Sequence, residues 1–218
     1  MSTAIICAVL IVIAIIGLKS YAKKLTSGCC EDRKKALRRE TKEAVAALDE
    51  GYTKEADLQI FRHVTGLPEY EQAETLFCFV GTSGEINTAP ILEEALRQGK
   101  RVGVPKCTAR GIMEVREIRS LRDLEAGKYG ILEPGAHAPV IQPEEINLAI
   151  VPCMSCSYDG RRLGYGGGYY DRYLGGTRAV KAVICRERIM RADIPMEPHD
   201  QMMDIVISEN GVRRLGSQ

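Results

Sequence analysis

Hydrophobic and polar residues alternate in blocks that predict an apolar segment, two charged helices and a series of short strands. Residues 3–18 form an unbroken apolar run, with lysines at positions 19, 23 and 24. After a polar stretch at 21–30, apolar residues recur at helical spacing up to Gly51, and a second helix is predicted from Thr53 to Val64. The pattern therefore places a pair of amphipathic helices between the apolar segment and the rest of the chain.

Beyond the second helix, short apolar runs alternate with helices and turns. Residues 75–80 and 148–152 are apolar throughout, as in buried strands, whereas 112–118 alternates as in a half-exposed strand. A predicted helix at 89–97 separates the first run from a strand at 101–106. This β–α–β order predicts parallel strands with helical crossovers. We therefore expect one α/β domain of three layers over residues 31–218, with a mostly parallel central sheet flanked by helices and preceded by an N-terminal apolar helix.

The apolar run predicts a membrane anchor over residues 1–20, followed by a linker at 21–30. The 16 residues at 3–18 fall short of the roughly 20 that span a bilayer, but Met1, Ser2 and a snorkelling Lys19 could close the gap. The segment lacks the basic start of a secretory signal, and the lysines that follow it favour a cytoplasmic location for the rest of the chain. A wrongly assigned start codon and a buried core helix are the alternatives.

Net charge and cysteine content limit the classes of function that the chain can have. A formal net charge of +1 gives no sign of a nucleic-acid-binding surface. The eight cysteines are scattered through a chain of 218 residues, which is long enough to fold without disulfides, so we expect mostly reduced thiols. Cys153 and Cys156 form a C-x-x-C motif that is either a redox pair or half of a zinc site. No second C-x-x-C or nearby histidine pair completes a tetrahedral set, which favours structural thiols.

The strongest chemical signal is the stretch 159–174, DGRRLGYGGGYYDRYL. Its glycines free the backbone to approach a ligand, its arginines add positive charge, and Asp171 offers a hard oxygen ligand. A glycine-rich turn that leads into a helix presents free N–H groups to phosphates. The spacing matches neither G-x-x-x-x-G-K-[ST] nor G-x-G-x-x-G. We interpret the stretch as a binding loop for a polyphosphate with Mg²⁺, and a merely flexible loop is the alternative.

The same stretch resembles the signature of the 5-formyltetrahydrofolate cyclo-ligase family, roughly G-x-R-L-G-x-G-x-G-Y-Y-D, which residues 160–171 fill without a gap. Further segments resemble the family's K-x-x-L-R (34–38), E-[IV]-x-T (85–88), G-I-x-E-P (130–134) and closing P-x-E-x-H-D…D-x-I-I (195–207). The resemblance covers about residues 32–212 and leaves the apolar segment outside.

This resemblance implies ATP-dependent cyclisation of 5-formyltetrahydrofolate to 5,10-methenyltetrahydrofolate, with release of ADP and phosphate. The formyl oxygen is phosphorylated first, so no protein nucleophile is expected, and Tyr169 and Tyr170 line the transfer site. The expected ATP-binding residues are Lys34, Arg38, Arg162, Leu163, Gly164, Tyr165, Gly166, Gly167, Gly168 and Tyr169; the folate-binding residues are Glu85, Thr88, Glu133, Pro134 and Tyr170; and the Mg²⁺ ligands are Asp171, Asp200 and Asp204.

One segment departs from the family pattern. Where the family has P-G-x-A-F-D, residues 152–157 are PCMSCS, so that Cys156 replaces an aromatic residue expected in the pocket wall. This departure leaves two alternatives: an ATP-dependent enzyme acting on another N-formyl or amide acceptor, and a non-catalytic, membrane-tethered nucleotide-binding module. The sequence does not indicate an oligomeric state.

Overall fold

The computed structural model describes residues 30–127 and 130–216. The predicted anchor at 3–18 and nearly all of the predicted linker lie outside these ranges, so both stay predictions. Within the described ranges, no helix is both long enough and apolar enough to cross a bilayer.

Two helices open the described chain, and the boundary between them differs from the prediction. Helix α1 covers 30–46 and α2 covers Glu50–Thr65. The first helix was expected to continue to Gly51. Instead, Asp49 is the N-cap of α2, and its Oδ1 accepts a hydrogen bond from the Tyr52 N–H at 3.0 Å. An N-terminal aspartate cap therefore starts α2 earlier than the glycine suggested, and Gly51 lies inside the first turn.

Short elements then alternate along the chain as the hydrophobic pattern predicts. In order they are α3 (Pro68–Gln72), β1 (Thr75–Cys78), α4 (Ala89–Arg97), β2 (Arg101–Ala109), β3 (Ile112–Ile118), β4 (Leu124–Ala126), β5 (Leu132–Pro134), β6 (Val140–Ile141), β7 (Leu148–Val151), β8 (Ser155–Cys156), β9 (Arg162–Leu163), α5 (Tyr169–Leu174), β10 (Val180–Ile184), β11 (Ile205–Ser208) and β12 (Gly211–Arg214).

The described strands build an eight-stranded sheet in the order β12-β11-β10-β7-β1-β2-β3-β6. The five central strands, β11 to β2 in that order, pair in parallel, and antiparallel strands close both edges. Helix α4 is the crossover that makes β1 and β2 parallel. The prediction of a mostly parallel central sheet in an α/β fold is confirmed.

Apolar side chains cover both faces of this sheet. Consecutive residues of β1 point to opposite faces, so that Leu76 packs with Ile60 and Leu92 of α2 and α4, whereas Phe77 packs with Leu174 of α5. Strands buried on both faces explain the continuous apolar runs in the sequence. Because the central strands are parallel, the residues that follow β1, β7 and β10 meet at one edge, where parallel sheets usually bind their ligands.

Candidate active site

A cavity of about 310 Å³ opens at the carboxyl ends of β1, β7 and β10. Phe79 follows β1, Cys153 follows β7 and Cys185 follows β10, and all three line the cavity. Its volume is at the lower end of the range of about 300–1,000 Å³ that is usual for small-molecule sites. The sheet topology thus forms the cavity at the edge where the glycine-rich loop also lies.

Glu85, a predicted folate-binding residue, lies in the wall of this cavity. Its Oε2 accepts hydrogen bonds from the Thr82 N–H at 2.8 Å and the Thr82 hydroxyl at 2.6 Å, which fixes the carboxylate. Tyr165, which comes from the glycine-rich loop and is 54% exposed, lines the same cavity. The loop and the Glu85 side of the cavity are therefore neighbours.

The loop that carries Glu85 is held by Arg186, which the sequence analysis did not single out. The Arg186 guanidinium binds both carboxylate oxygens of Asp57 in α2, at 2.8 and 3.0 Å, and donates to the backbone carbonyls of Gly84 and Glu85 at 2.9 and 2.8 Å. Asp57 and Arg186 are 129 positions apart and belong to no motif, so only the fold brings them together.

Residues 164–168 form an exposed loop whose N–H groups are unpaired. None of the five donates a hydrogen bond to another described residue. Gly166 and Gly168 have φ angles of 93° and 64°, the left-handed region that glycine tolerates best. The Arg38 Nε donates to the Gly164 carbonyl at 2.9 Å, and Arg172 donates to the Gly167 carbonyl at 2.5 Å. The loop therefore combines free N–H donors with two adjacent guanidinium groups, a combination suited to phosphates.

Helix α1 packs against the glycine-rich loop through a small apolar cluster of Leu37, Leu163 and Ile194, which places Arg38 beside Gly164. Leu163 is only 1% exposed, so it docks the helix and does not offer the direct ATP contact expected of it. The Lys34 ammonium binds Asp200 at 2.5 Å and Glu197 at 3.1 Å. Burial alone would lower the pKa of Lys34, but these hydrogen bonds raise it above its ordinary value.

Arg162 is 6% exposed, and its guanidinium lies beside Gly164 of the loop. Its Nη2 binds both oxygens of Asp171 at 2.9 Å, and its Nη1 donates to the Pro152 carbonyl at 3.1 Å. The expected ATP-binding arginine and the expected metal ligand are thus paired with each other. Through these contacts, Arg162 connects α5 to the segment after β7 and supports the position of the loop.

The three aspartates expected to bind Mg²⁺ are not gathered into one cluster within the described residues. Asp171 is paired with Arg162 and Asp200 with Lys34. Asp204 immediately precedes β11, at the edge of the parallel strands opposite to the cavity, and accepts from the Lys181 N–H at 2.8 Å. Asp204 therefore stabilises the start of two strands and does not face the cavity.

The remaining folate-binding candidates have different surroundings. The Thr88 hydroxyl is fully buried and bridges the Phe79 carbonyl and the Gly81 N–H, so it fixes the loop after β1. Glu133 and Pro134 lie in β5 beside β2 and do not belong to the cavity lining; Glu133 accepts from the Cys107 N–H at 3.3 Å.

Tyr169 and Tyr170 begin α5 directly behind the loop. The Tyr170 ring stacks on Phe77, with the two ring centres 6.0 Å apart, and the Arg162 guanidinium carbon lies 5.6 Å from the Tyr170 ring centre. Burial raises the pKa of Tyr170, and the negative charge of Glu85 adds to this. Tyr170 is thus held between the loop and the Glu85 side of the cavity, whereas Tyr169 packs partly on the core.

Three thiols meet in the cavity wall. The sulfur atoms of Cys153, Cys156 and Cys185 all lie within 4.8 Å of one another, and no disulfide joins cysteines in the described part of the chain. Hydrogen bonds from Cys153 and Cys156 hold the pKa of Cys185 below its ordinary value, and those same contacts raise the pKa of Cys156. The sequence showed the first two cysteines as a pair, but Cys185 joins them only through the pairing of β7 and β10.

Comparison with known proteins shows the family to which the chain is similar. The model of the 5-formyltetrahydrofolate cyclo-ligase family matches residues 30–209. The chain is similar to a probable 5-formyltetrahydrofolate cyclo-ligase of Schizosaccharomyces pombe (29% identity, covering 72% of this chain and 85% of the relative). It is also similar to the 5-formyltetrahydrofolate cyclo-ligase of Saccharomyces cerevisiae (25% identity, covering 82% and 96%).

A solved structure supports the fold. The Aquifex aeolicus 5,10-methenyltetrahydrofolate synthetase superposes with a TM-score of 0.75 at 25% identity, over 85% of this chain and 94% of that one. From the family match over most of its length, with the glycine-rich loop beside a cavity at the sheet edge, we conclude that the chain belongs to the 5-formyltetrahydrofolate cyclo-ligase family.

Proposed function

We propose that this chain catalyses the ATP-dependent cyclisation of 5-formyltetrahydrofolate to 5,10-methenyltetrahydrofolate, releasing ADP and phosphate. The observation that carries the proposal is that Tyr165 and Glu85 line the same cavity. Tyr165 belongs to the loop with free N–H groups, and Glu85 belongs to the cavity wall. A phosphate on the loop and an acceptor in the cavity would therefore be neighbours, as phosphoryl transfer between them requires.

The loop side supplies the groups that bind ATP. The free N–H groups of residues 164–168 would bind phosphate oxygens, and Arg38 and Arg172 would neutralise their charge. Two of the three ammonium donors of Lys34 are used by Asp200 and Glu197, which leaves one for a phosphate. Arg162 and Leu163 hold the loop in position and belong to its support.

The cavity side supplies the groups that bind the folate. Its wall is mostly apolar and includes Phe79, Ile86, Met154 and Ile184, which suit the flat face of a pterin ring. Glu85 offers a fixed carboxylate to the N–H donors at the ring edge. Lys42 is an exposed residue of helix α1 at the cavity wall and would attract the carboxylates of the glutamate tail.

The chemistry needs positioning and charge neutralisation and no covalent bond to the protein. A formamide oxygen is a poor leaving group. The formyl oxygen therefore attacks the γ-phosphorus of ATP, the bond to ADP breaks, and the phosphorylated oxygen activates the formyl carbon. The neighbouring amine nitrogen of the folate then attacks that carbon, loses its proton, and expels inorganic phosphate. The phosphoryl group would pass between the loop and the cavity, where the Tyr165 hydroxyl could donate a hydrogen bond to it.

Mg²⁺ fits this site only in part. Asp171 and Asp200 carry the hard oxygen atoms that the ion prefers, but each carboxylate is already bound to a cation. We propose that these two residues supply at most one or two ligands and that phosphates and water supply the rest. When bound, Mg²⁺ would shield the charge of the phosphate oxygens. Asp204 is left out because it lies at the opposite edge of the sheet.

The proposal is tested by mixing the full chain with Mg-ATP and 5-formyltetrahydrofolate and following the absorbance of the methenyl product. We expect an ATP-dependent rise with one ADP released per product. A protein that binds ATP but gives no product with this folate would contradict the proposal, and product formation with a different N-formyl compound would then identify the alternative acceptor. Background ADP release with every acceptor would indicate a binding module without turnover.

A further inference from the structure

We propose that Cys153, Cys156 and Cys185 form a binding site for one thiophilic metal ion, Zn²⁺ or Cu⁺, in the wall of the cavity. All three sulfur atoms lie within 4.8 Å of one another. The residues come from two separate parts of the chain, the C-x-x-C after β7 and the end of β10. This proposal stands on the geometry of the thiols and does not depend on the reaction proposed above.

The sulfur positions fit a metal ion with little movement. With metal–sulfur bonds of about 2.3 Å, three thiolates in a trigonal or tetrahedral arrangement stand about 3.8–4.0 Å apart. The observed separations, all within 4.8 Å, leave room for a small inward shift of each side chain. Thiolates select Zn²⁺ and Cu⁺ over the hard ions that carboxylates bind, so the site is chemically distinct from the phosphate region.

Simple packing of small side chains explains the cluster less well. Buried cysteines do pack as small apolar residues, as Cys78 does elsewhere in the sheet. In the cluster, however, three sulfur atoms converge within 4.8 Å of one another, and Cys153 is only half-buried at the cavity wall. Three converging sulfur atoms with one side open to a cavity match a three-ligand site with a free coordination position. Cu⁺ would be satisfied by the three thiolates, and Zn²⁺ would add a water molecule from the cavity.

The bound ion neutralises part of the charge of the three thiolates. Three thiolates with Zn²⁺ leave one net negative charge, and three with Cu⁺ leave two. Binding would release the thiol protons to solvent, which supplies a direct readout.

The test is a competition titration of the full chain, reduced and metal-free, against a chromophoric chelator, with Zn²⁺ and Cu⁺ in separate arms. We expect one ion per chain, release of protons, and protection of three thiols from an alkylating reagent. Co²⁺ in place of Zn²⁺ should give the near-ultraviolet absorption of thiolate-to-metal charge transfer. The arm with the tighter binding identifies the ion.

Two sets of variants make the result specific. Cys153→Ser at the cavity wall and Cys156→Ser in the core should each weaken binding by more than the roughly 10- to 100-fold that loss of an outer-shell partner costs. Cys78→Ala, a buried thiol outside the cluster, and the double change Cys29→Ser and Cys30→Ser should leave affinity and stoichiometry unchanged. If Cys156→Ser does not fold, Cys153→Ser alone decides the question.

Weak binding of both ions, with no charge-transfer band and three thiols that react in the presence of metal, would overturn the proposal. So would affinity that survives Cys153→Ser but is lost when Cys29 and Cys30 are replaced, because the ion would then bind near the start of the chain.

Discussion

At the scale of single residues, the account depends on Glu85 more than on any other side chain. Its carboxylate is fixed by two hydrogen bonds from Thr82, and Tyr165 of the loop lines the same cavity. This arrangement couples the two halves of the site through one group. Its loss should therefore affect use of the folate more than binding of ATP.

We expect Glu85→Gln to keep the shape of the loop but to remove the charge that faces the folate. A hydrogen bond to a charged group contributes about 1.5–3 kcal/mol, so kcat/KM for the folate should fall by about 10- to 150-fold while the Kd for ATP stays within about twofold. Steady-state kinetics and ATP titration measure the two effects. Glu55→Gln on the exposed face of α2 is the matched control and should change neither. Equal losses of ATP and folate binding would contradict the role of Glu85.

Some residue roles in the site could not be predicted from the sequence. A motif match identifies Arg162 and Leu163 as part of the signature but does not reveal that both side chains turn inward, one to Asp171 and one to Leu37. Arg186 carries no motif at all, and its partner Asp57 is 129 positions away. Such roles follow from burial and long-range pairing, which local patterns do not encode.

At the scale of elements, the glycine-rich loop has N–H groups that donate to no other described residue and two glycines in the left-handed region. Gly166 has a φ of 93°, and a Cβ built there would lie 3.3 Å from the Arg38 guanidinium. The conformation and the close approach together require glycine at this position. The loop should therefore tolerate no side chain here without a cost to phosphate binding.

The matching prediction compares Gly166→Ala with Gly99→Ala. Gly99 also has positive φ (75°), but nothing lies within 4 Å of its Cβ position. Both changes should cost about 1 kcal/mol of unfolding free energy, because alanine is strained in this region. Only Gly166→Ala should also weaken the binding of ATP, by about tenfold or more in Kd, which corresponds to about 1.4 kcal/mol. Unchanged ATP affinity in Gly166→Ala would mean that the loop does not bind phosphates.

The elements with strong periodicity were predicted, whereas the short strands β4, β5, β6, β8 and β9 were not. The buried strands, α4 and the half-exposed strand β3 lie where the hydrophobic pattern placed them. The boundary between α1 and α2 was predicted wrongly. The prediction relied on Gly51 as a helix end, whereas Asp49 caps α2 and places Gly51 inside it. The cysteine cluster was visible only in part, because its third member comes from a strand that pairs across the sheet.

At the scale of the whole molecule, the described core contains helix α1 as well as the sheet. Its apolar clusters extend from Leu37 to Leu215, and α1 carries Lys34 and Arg38. The predicted anchor at 3–18 lies outside the described residues. We predict that the domain folds and functions without it, as expected of a membrane anchor.

We expect deletion of residues 1–29 to leave the melting temperature and the specific activity unchanged, because no described core contact is removed. The full chain should associate with lipid vesicles, and the shortened chain should remain in solution. Thermal unfolding, activity and vesicle sedimentation test these three expectations. An aggregated or inactive product would show that the apolar segment belongs to the core, as the alternative interpretation holds.

The most direct test of the central claim traces the formyl oxygen. If ATP activates the folate by phosphorylating that oxygen, then 5-formyltetrahydrofolate labelled there with a heavy oxygen isotope should transfer the label to inorganic phosphate. Mass spectrometry of the phosphate, with the full chain and Mg-ATP, should find one labelled phosphate for each methenyl product. Product that forms while the phosphate stays unlabelled would contradict the account, because the ring would then close without phosphoryl transfer from the loop to the cavity.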